Sequence, residues 1–459
     1  MQLPRFSQQQ QHTILQAAAA ILTDVGTRPL TADGAGTLQA LARYIFRTEI
    51  VVSDIATTVP NHLAACFETD QKRQLGDLLF TILPLVDEVP IPAKVELSHR
   101  VLAAADLPNQ SRKTIEHFVD NRVTRVRLDV VRATFADRYR MGFFEALKLS
   151  VKAALAASDP EVYARYLPLR ALPEHTFGRQ LIKYWEDNRF GIPGEKGAFP
   201  EELSVSHDSR HVLFGWDTTI RGEWGVSQNE CGNMEPLLQS FVVASFINCQ
   251  SGLRIAPEAP ALLGTYDPDQ FFRELERGAA AATGLMEPDW DYRPYLTRPL
   301  EDVRKELGIR PGGNVTLGQP WCGPDGPPSE RDQPLHQATV LKETADDLVA
   351  VRISGDMTEE DIAFFQELIE IAIAKYDQVN LLVELQRFSG WASPKSLLED
   401  IRVATKYVGK IKRLAVLGDS TWQKWLINLD RPFAALFGLQ ERYFELSQRE
   451  RALAFCREQ

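Results

Sequence analysis

Residues 207–223 read HDSRHVLFGWDTTIRGE, a stretch that contains two histidines and several carboxylates, the kinds of side chain that bind divalent metal ions. On a helix, His207 and His211 lie four positions apart and Asp208 and His211 lie three apart, so these side chains share one face. Glu223 follows His211 after eleven intervening residues. Two imidazoles and two carboxylates are a ligand set that suits Zn²⁺ or a similar divalent ion. The stretch therefore predicts a metal site formed by His207, Asp208, His211 and Glu223.

Two interpretations of this stretch stay open. The predicted ligand set contains no cysteine, and a carboxylate ligand can release a coordination position to water or substrate, which is typical of a metal that takes part in chemistry. The alternative is a polar, partly solvated helix face that binds no metal. The position of Glu223 in the glycine-flanked stretch RGEWG favours the metal.

Length and composition indicate an ordinary globular protein of several domains. A chain of 459 residues is long enough for about two to four domains, each with its own core. Its hydrophobic content of 44% and charged content of 25% are those of a globular protein. The net charge of −11 argues against nucleic acid as the main partner, because phosphate neutralisation needs a basic surface.

Cysteine usage and the N-terminal sequence predict a cytoplasmic protein. The five cysteines are scattered, odd in number and without a CxxC pair, which favours a reducing compartment over a disulfide framework. The sequence MQLPRFSQQQQH lacks the charged and then apolar profile of a signal peptide. The longest apolar runs are too short to span a bilayer. We expect a cytoplasmic protein, at most peripheral to the inner face of the membrane.

Residues 1–138 predict a helical N-terminal domain, with short helices separated by Pro, Gly and Asp. The segments TILQAAAAIL, TLQALARYIF, QLGDLLFTILPLV and AKVELSHRVLAAA carry apolar residues at helical spacing. The region resembles the TerB-like modules of tellurite-resistance proteins, in which acidic positions can bind metal. Asp24, Asp33 and Asp87 are candidates for such positions, or else ordinary loop and cap residues. We expect an interaction or scaffold domain that could contact protein partners.

The segment 109–157 is helical in pattern and rich in arginine. Its arginines are scattered around the helix rather than aligned in one stripe. A solvated face is one interpretation, and attraction to anionic lipid headgroups at a membrane surface is the other.

Residues 139–310 predict a central all-α domain that contains the metal stretch. Three segments, in the order TFGRQLIKYWEDN, HDSRHVLFGWDTTIRGE and PLEDVRKELGIRP, resemble the family of coenzyme Q (ubiquinone) biosynthesis protein 4. The resemblance implies an all-α fold and a divalent metal, usually zinc, held by the residues that match His207, Asp208, His211 and Glu223. It also implies a hydrophobic groove for an isoprenoid tail and the oxidative removal of the ring carboxylate from a polyprenylated hydroxybenzoate. Members of this family are also held to organise a biosynthetic complex at a membrane surface.

The almost wholly apolar segment MEPLLQSFVVASFINCQSGL, residues 234–253, predicts a second helix that is buried or lines an apolar cavity. We expect Phe241, Val242 and Phe246 to line the lipid groove. The sequence also departs from the family pattern. His175 precedes Thr-Phe-Gly where a small residue is common, and Ser209 and Arg210 occupy inner positions that are often apolar or aromatic. We expect Arg210 to face solvent.

Residues 311–337 predict a linker, and residues 338–459 predict an α/β domain. Of the 28 residues from 310 to 337, eleven are Pro or Gly, a composition typical of a semi-extended spacer. Strand-like and helical segments then alternate, with Thr358 and Asp361 forming a capping box. The segments GDMTEEDI, FSGWASPKSLLEDI, KRLAVLGDSTWQKW and RYFELSQRERALAF resemble the SpoIIAA-like family, relatives of STAS domains.

In phospho-regulated relatives of that family an Asp-Ser pair at the start of a helix is the switch. Here the sequence reads Ser389-Gly390-Trp391, so we do not expect a phosphorylation switch. Trp391, Trp422 and Trp425 are expected in a core or a groove.

Three functions compete. The first is a metal-dependent decarboxylase, a lyase, that acts on a lipid-like aromatic acid. The second is a non-catalytic lipid-binding scaffold for a quinone-biosynthesis or membrane-surface assembly, in which the metal is a structural clip. The third is an HD-type phosphohydrolase, which needs a further His and a distal Asp, for which only His175 and Asp291 are available. The spacing to Glu223 favours the first two.

Overall fold

The computed structural model describes residues 3–457 except 121, 143–144, 147, 150–151, 153–157, 254–263, 283, 286, 288–289, 325, 329–337, 342, 392–405, 408 and 419–438. Within the described residues, the chain up to residue 306 is mostly helical and its strands begin at Ala338. This order confirms the predicted fold class, in which helical N-terminal and central regions precede an α/β region.

The chain forms two compact units. The first consists of Met1–Ile115, Leu128–Ser251 and Leu263–Asp332, and the second of Glu116–Arg127, Gly252–Leu262 and Gln333–Gln459. The α-helices described before the first strand are α1 (Gln8–Thr23), α2 (Ala32–Ala40), α3 (Asp70–Ile82), α4 (Pro92–Ala104), α5 (Arg112–Val119), α6 (Val123–Ala133), α7 (Pro160–Tyr166), α8 (Phe177–Asn188), α9 (Glu201–Phe214), α10 (Ile220–Asn233), α11 (Gln239–Ser245), α12 (Pro268–Ala280) and α13 (Leu300–Glu306).

The first unit joins parts of the chain that the sequence assigned to separate N-terminal and central domains. The Thr37 hydroxyl lies 3.1 Å from that of Tyr266. Gln239 donates from Nε2 to the hydroxyls of Thr81 at 3.3 Å and Ser111 at 3.1 Å. Such buried polar groups need their partners, so these contacts fix the packing between early and late helices. The boundary predicted at residue 138 therefore lies inside one compact unit.

The Pro/Gly-rich segment 311–337 also differs from the spacer expected there. Trp321 is only 1% exposed, its Nε1 donates to Gln180 Oε1 at 2.9 Å, and its backbone N–H donates to Asp187 at 2.9 Å. The single tryptophan of the segment supplies enough apolar surface to anchor the backbone around it to the first unit. Residues 329–337 lie outside the described residues.

The second unit contains a five-stranded sheet in sequential order. Its first strand is antiparallel to the second and the remaining pairs are parallel. The strands are β1 (Ala338–Val340), β2 (Leu348–Met357), β3 (Val379–Trp391), β4 (Ile411–Gly418) and β5 (Gln440–Glu445), and the helices are α14 (Glu359–Tyr376) and α15 (Arg449–Arg457).

Each face of this sheet packs against its own hydrophobic cluster. Alternate residues of a strand point to opposite faces, so neighbouring residues join different clusters. In β3, Leu381 packs in one hydrophobic cluster and Leu382 in the other. Helix α14 adds Ile362 to the first cluster and α15 adds Leu453 to the second. The predicted capping box at the start of α14 is confirmed, with the Thr358 hydroxyl accepting from the Asp361 N–H.

Some sequence expectations for this unit fall on residues that are not described. Residues 392–405 and 419–438, which include Trp422 and Trp425, lie outside the described residues. Ser389-Gly390-Trp391 falls within β3. Among the described residues of both units, no helix has the length and apolarity needed to cross a membrane.

Candidate metal centre

Helices α9 and α10 and the short turn between them build the site. Gly215 ends α9 in the left-handed conformation with φ 73°, which glycine adopts without steric cost. The Thr219 hydroxyl accepts from the Gly222 N–H and caps α10. At Gly222 a Cβ would stand 1.9 Å from the Asp217 carbonyl oxygen, so the tight turn that delivers Glu223 requires a glycine there.

Three of the four predicted ligands meet at this point. His207, His211 and Glu223 each offer a ligand atom, and these atoms all lie within 4.8 Å of one another. The two Nε2 atoms are 3.2 Å apart. Glu223 Oε2 is 3.4 Å from His207 Nε2, and Glu223 Oε1 is 3.5 Å from His211 Nε2. The side chains of the two histidines, four positions apart, and of the later Glu223 thus come together in the structure.

The distances fit a tetrahedral metal. With ligand atoms about 2.0–2.1 Å from zinc, the edge of the coordination tetrahedron is about 3.3 Å. The two Nε2 atoms, 3.2 Å apart, match that edge, and the two oxygens of Glu223 lie 3.4 Å from His207 Nε2 and 3.5 Å from His211 Nε2, respectively. Two imidazole nitrogens and one carboxylate also match the donor set of sites that keep a position open for water or substrate. The residues present therefore fit a divalent metal ion.

The environment of His211 prepares its Nε2 for a metal. Its Nδ1 lies 3.1 Å from the carbonyl oxygen of Trp216 and 3.0 Å from that of Asp217. Carbonyl oxygens only accept, so Nδ1 carries a hydrogen and the ring is turned with Nε2 toward His207. The side chain of His211 is fully buried, and its ring stands 5.1 Å from that of Tyr184.

His207 is held by a buried acid that the sequence analysis missed. Glu230 Oε1 lies 3.5 Å from His207 Nδ1 and accepts from Arg138 Nη2 at 2.6 Å. Burial alone would lower the pKa of His207, but its contacts with Glu223 and Glu230 raise that pKa to about 10. The metal-free imidazole is therefore an imidazolium that faces two carboxylates. Glu230 is seven positions after Glu223, two turns along the same face of α10, which is the sequence signal that could have found it.

Glu223 is the accessible member of the group. Its side chain is 41% exposed, while those of His207 and His211 are 23% and 0% exposed. Burial would raise the pKa of its carboxyl, but the nearby His211 and His207 outweigh that effect and lower it well below the usual range. Glu223 is therefore a carboxylate at the solvent side of the site.

Asp208, the fourth predicted ligand, is directed elsewhere. Its Oδ2 accepts from Trp185 Nε1 at 2.6 Å, and the residue is 7% exposed. A helix advances about 100° per residue, so Asp208 points away from the side on which His207 and His211 meet. Burial raises the pKa of this carboxyl. The structure does not include Asp208 in the group of three.

Arg210 does not face solvent, and that expectation is wrong. The residue is 1% exposed, its guanidinium carbon stands 4.8 Å from the centre of the Trp290 ring, and its Nη1 donates to Ser209 at 3.0 Å. Stacking on an aromatic ring allows a guanidinium to be buried at lower cost than in a purely aliphatic environment. Burial lowers the pKa of Arg210 to about 9.

The three residues expected to line a lipid groove separate into two environments. Val242 and Phe246 have no exposed surface, and Phe246 packs 5.2 Å from the Trp224 ring and 4.9 Å from the Tyr266 ring. Phe241 keeps some exposure and lies 5.3 Å from the guanidinium carbon of Arg138. Of the three, only Phe241 has surface that a ligand could contact.

The residues required by the phosphohydrolase interpretation lie apart from the site. His175 is exposed, and Asp291 is exposed and paired with Arg293 at 2.6 Å. Neither they nor the N-terminal candidates Asp24, Asp33 and Asp87 belong to the group found among the described residues.

Comparisons with known proteins concern the second unit. The family model described as SpoIIAA-like matches residues 348–457. The crystal structure of an uncharacterized protein from the DUF3478 family with a SpoIIAA-like fold, from Shewanella loihica PV-4, is 22% identical, with a TM-score of 0.23. The match covers 27% of this chain and 95% of that one. No curated protein matches the chain. Residues 348–457 therefore form a SpoIIAA-like domain.

Proposed function

We propose that this protein is a divalent-metal enzyme that binds a polyprenylated aromatic acid and removes its ring carboxylate, as the resemblance to coenzyme Q biosynthesis protein 4 implies. The observation that carries the proposal is the convergence of His207, His211 and Glu223, each of which offers one ligand atom within 4.8 Å of the other two. Zinc is the expected ion, and the same donors also suit iron or manganese.

The side chains in and around this group of three have separable roles. A bound divalent ion would chelate a phenolate or carboxylate and withdraw electron density from the ring as carbon dioxide leaves. His211 and His207 would hold the ion from the buried side, and the exposed Glu223 leaves the solvent side open. Glu230 orients His207 through Nδ1. Asp208 lies next to this group and contacts Trp185.

Arg138 links the site to the apolar surface proposed for the isoprenoid tail. Its Nη2 lies 3.3 Å from His207 Nδ1, and its guanidinium carbon lies 5.3 Å from the Phe241 ring. The side chain of Arg138 therefore contacts both Phe241 and His207. A lipid bound along Phe241 would have its head group near the metal ligands, which is the arrangement that the proposed reaction needs.

The second candidate is a non-catalytic lipid-binding scaffold for a quinone-biosynthesis or membrane-surface assembly. The observation that favours it is that His211 belongs to α9 and Glu223 to α10, so a bound metal would also clip two helices together. In that case the protein partners would contact other surfaces of the N- and C-terminal regions.

An exchangeable metal position distinguishes the two candidates. We would replace the native ion by Co²⁺ and record the visible spectrum while adding 4-hydroxybenzoate. The enzyme proposal expects a saturable spectral change, because the aromatic acid enters the coordination shell. An unchanged spectrum would favour the scaffold. In parallel, lipid extracted from the purified protein and analysed by mass spectrometry should contain an isoprenoid or quinone-like species.

A further inference from the structure

A second site lies in the first unit, where five arginine side chains surround a cavity of about 330 Å³. The arginines come from three separate segments: the π-helical segment Leu41–Phe46 with its C-cap, helix α12 and the chain after α13. They are Arg43, Arg47, Arg273, Arg277 and Arg310, and Tyr44, Glu274, Glu276, Pro311 and Gly312 complete the lining. A cavity of this volume is within the range that binds small ligands.

The lining of this arginine pocket contains more arginines than glutamates, and Asp269 and Glu49 at its edge pair with some of them. Five guanidinium groups face the two carboxylates of Glu274 and Glu276, in a chain whose net charge is −11. Glu274 is fully buried and already committed, because it accepts from Arg277 at 2.9 Å and from Trp216 Nε1 at 3.0 Å. The other carboxylate oxygen of Glu274 lies 3.5 Å from Arg273 Nε. The outer arginines, Arg43, Arg47 and Arg310, pair instead with Glu276 and with acids at the edge of the pocket.

The outer arginines are held by ion pairs that are easy to exchange. Arg47, with a side chain 65% exposed, lies 3.6 Å from Glu276, which also pairs with Arg310. Arg43, 52% exposed, lies 3.2 Å from Asp269 and 3.8 Å from Glu49. Exposed pairs of this kind contribute little to stability, so an anion that accepts several hydrogen bonds can replace them.

The floor of the pocket is rigid. Arg277 donates from Nε to the Arg310 carbonyl at 2.7 Å and from Nη2 to the Phe214 carbonyl at 2.8 Å. Its guanidinium carbon stands 5.0 Å from the Phe214 ring. At Gly312 a Cβ would stand 2.8 Å from Arg277 Cζ, so the backbone approaches the guanidinium as closely as a glycine allows.

We propose that the arginine pocket binds the diphosphate group of a soluble phosphorylated small molecule. Planar guanidinium groups match phosphate oxygens in bidentate pairs, and Arg43, Arg47, Arg273 and Arg310, from three segments, can surround two linked phosphates above the floor that Arg277 forms. A single phosphate would reach fewer of them. The pocket is formed by residues other than His207, His211 and Glu223, so this binding does not depend on the metal centre.

Calorimetric titration with pyrophosphate tests the proposal. Wild type should bind it saturably and more tightly than inorganic phosphate. The double variant Arg47→Gln/Arg310→Gln should bind at least tenfold more weakly. Both side chains are half exposed or more, so the fold should survive, and the melting temperature checks this. The control Arg28→Gln/Arg293→Gln removes the same charge at exposed positions elsewhere and should bind like wild type.

If Arg47→Gln/Arg310→Gln bound pyrophosphate as tightly as wild type, the proposal would be overturned. Such a result would mean that pyrophosphate binds at the metal centre or to general positive charge, which this variant retains. Equal loss in the control, or no saturation in wild type, would overturn it as well. Vesicles that contain phosphatidate serve as a competitor. They should leave pyrophosphate bound, and displacement would assign the pocket to a lipid headgroup instead.

Discussion

At the scale of single residues, the geometry of the candidate site could be predicted in part. The spacing of His207 and His211 on a helix was enough to place them side by side, and Glu223 joined them through a turn whose glycine the sequence displays. The spacing places Glu230 on the same helix face as Glu223, but it predicts neither the contact that Asp208 makes nor the one that Glu230 makes. Their partners, Trp185 and Arg138, come from other segments of the chain, and only tertiary packing brings them near.

The pH dependence follows from His207. Its folded pKa of about 10 exceeds the ordinary value of 6.5, so in metal-free protein its protonation contributes stability that is complete below pH 6.5 and is lost as the pH rises through 10. A metal ion must displace this proton. Metal affinity should therefore rise about tenfold per pH unit between about pH 7 and 9. Calorimetry in buffers of different ionisation enthalpy should detect about one proton released, and a pH-independent affinity would contradict the account.

Glu230 should control metal affinity without being a ligand. Glu230→Gln keeps the shape but removes the charge that faces His207 and Arg138, so metal affinity should fall about tenfold to a hundredfold. The melting temperature should fall too, because Arg138 is buried and loses its carboxylate. Competition with a chromophoric chelator measures the affinity. The exposed Glu235→Gln is the matched control, and wild-type affinity in Glu230→Gln would refute the positioning role.

At the scale of elements, helix α11 shows where sequence pattern is not sufficient. The segment around it is apolar on all sides, which is compatible with a core or with a groove. The structure separates these possibilities residue by residue, because neighbours from α10 and α12 cover Phe246 and leave Phe241 partly exposed.

Two alanine substitutions in this segment should therefore behave differently. Phe246→Ala removes a fully buried ring and should lower the free energy of unfolding by about 3–5 kcal/mol. Phe241→Ala should leave the melting temperature nearly unchanged and reduce the isoprenoid lipid that copurifies. Thermal melting and mass spectrometry of extracted lipid measure both effects. If Phe241→Ala retained all of the lipid, the proposed contact surface would be wrong.

Composition was also an incomplete guide for the segment that begins at residue 311. A Pro/Gly-rich sequence indicates a spacer on average, but one large apolar side chain is enough to anchor it. Trp321→Ala should cost about 3–5 kcal/mol, because it empties a buried site and leaves Gln180 without its donor. Urea unfolding followed by circular dichroism tests this. The exposed Leu317→Ala is the control, and an equal midpoint for both variants would mean that the segment is not part of the first unit.

At the scale of the whole molecule, the sequence predicted the class of each part better than the number of parts. The switch from helices to alternating strands and helices is a local pattern, and the structure has it where it was expected. The union of early and late helices into one unit depends on contacts between residues far apart in sequence, such as Thr37 with Tyr266. Such contacts have no local signature.

The central claim is that the first unit of this chain binds a divalent metal through His207, His211 and Glu223. Elemental analysis of purified wild type, His211→Ala and the exposed control His175→Ala is its most direct test. We expect about one metal ion per chain in wild type and in His175→Ala, and almost none in His211→Ala. Equal metal content in all three proteins would contradict the account.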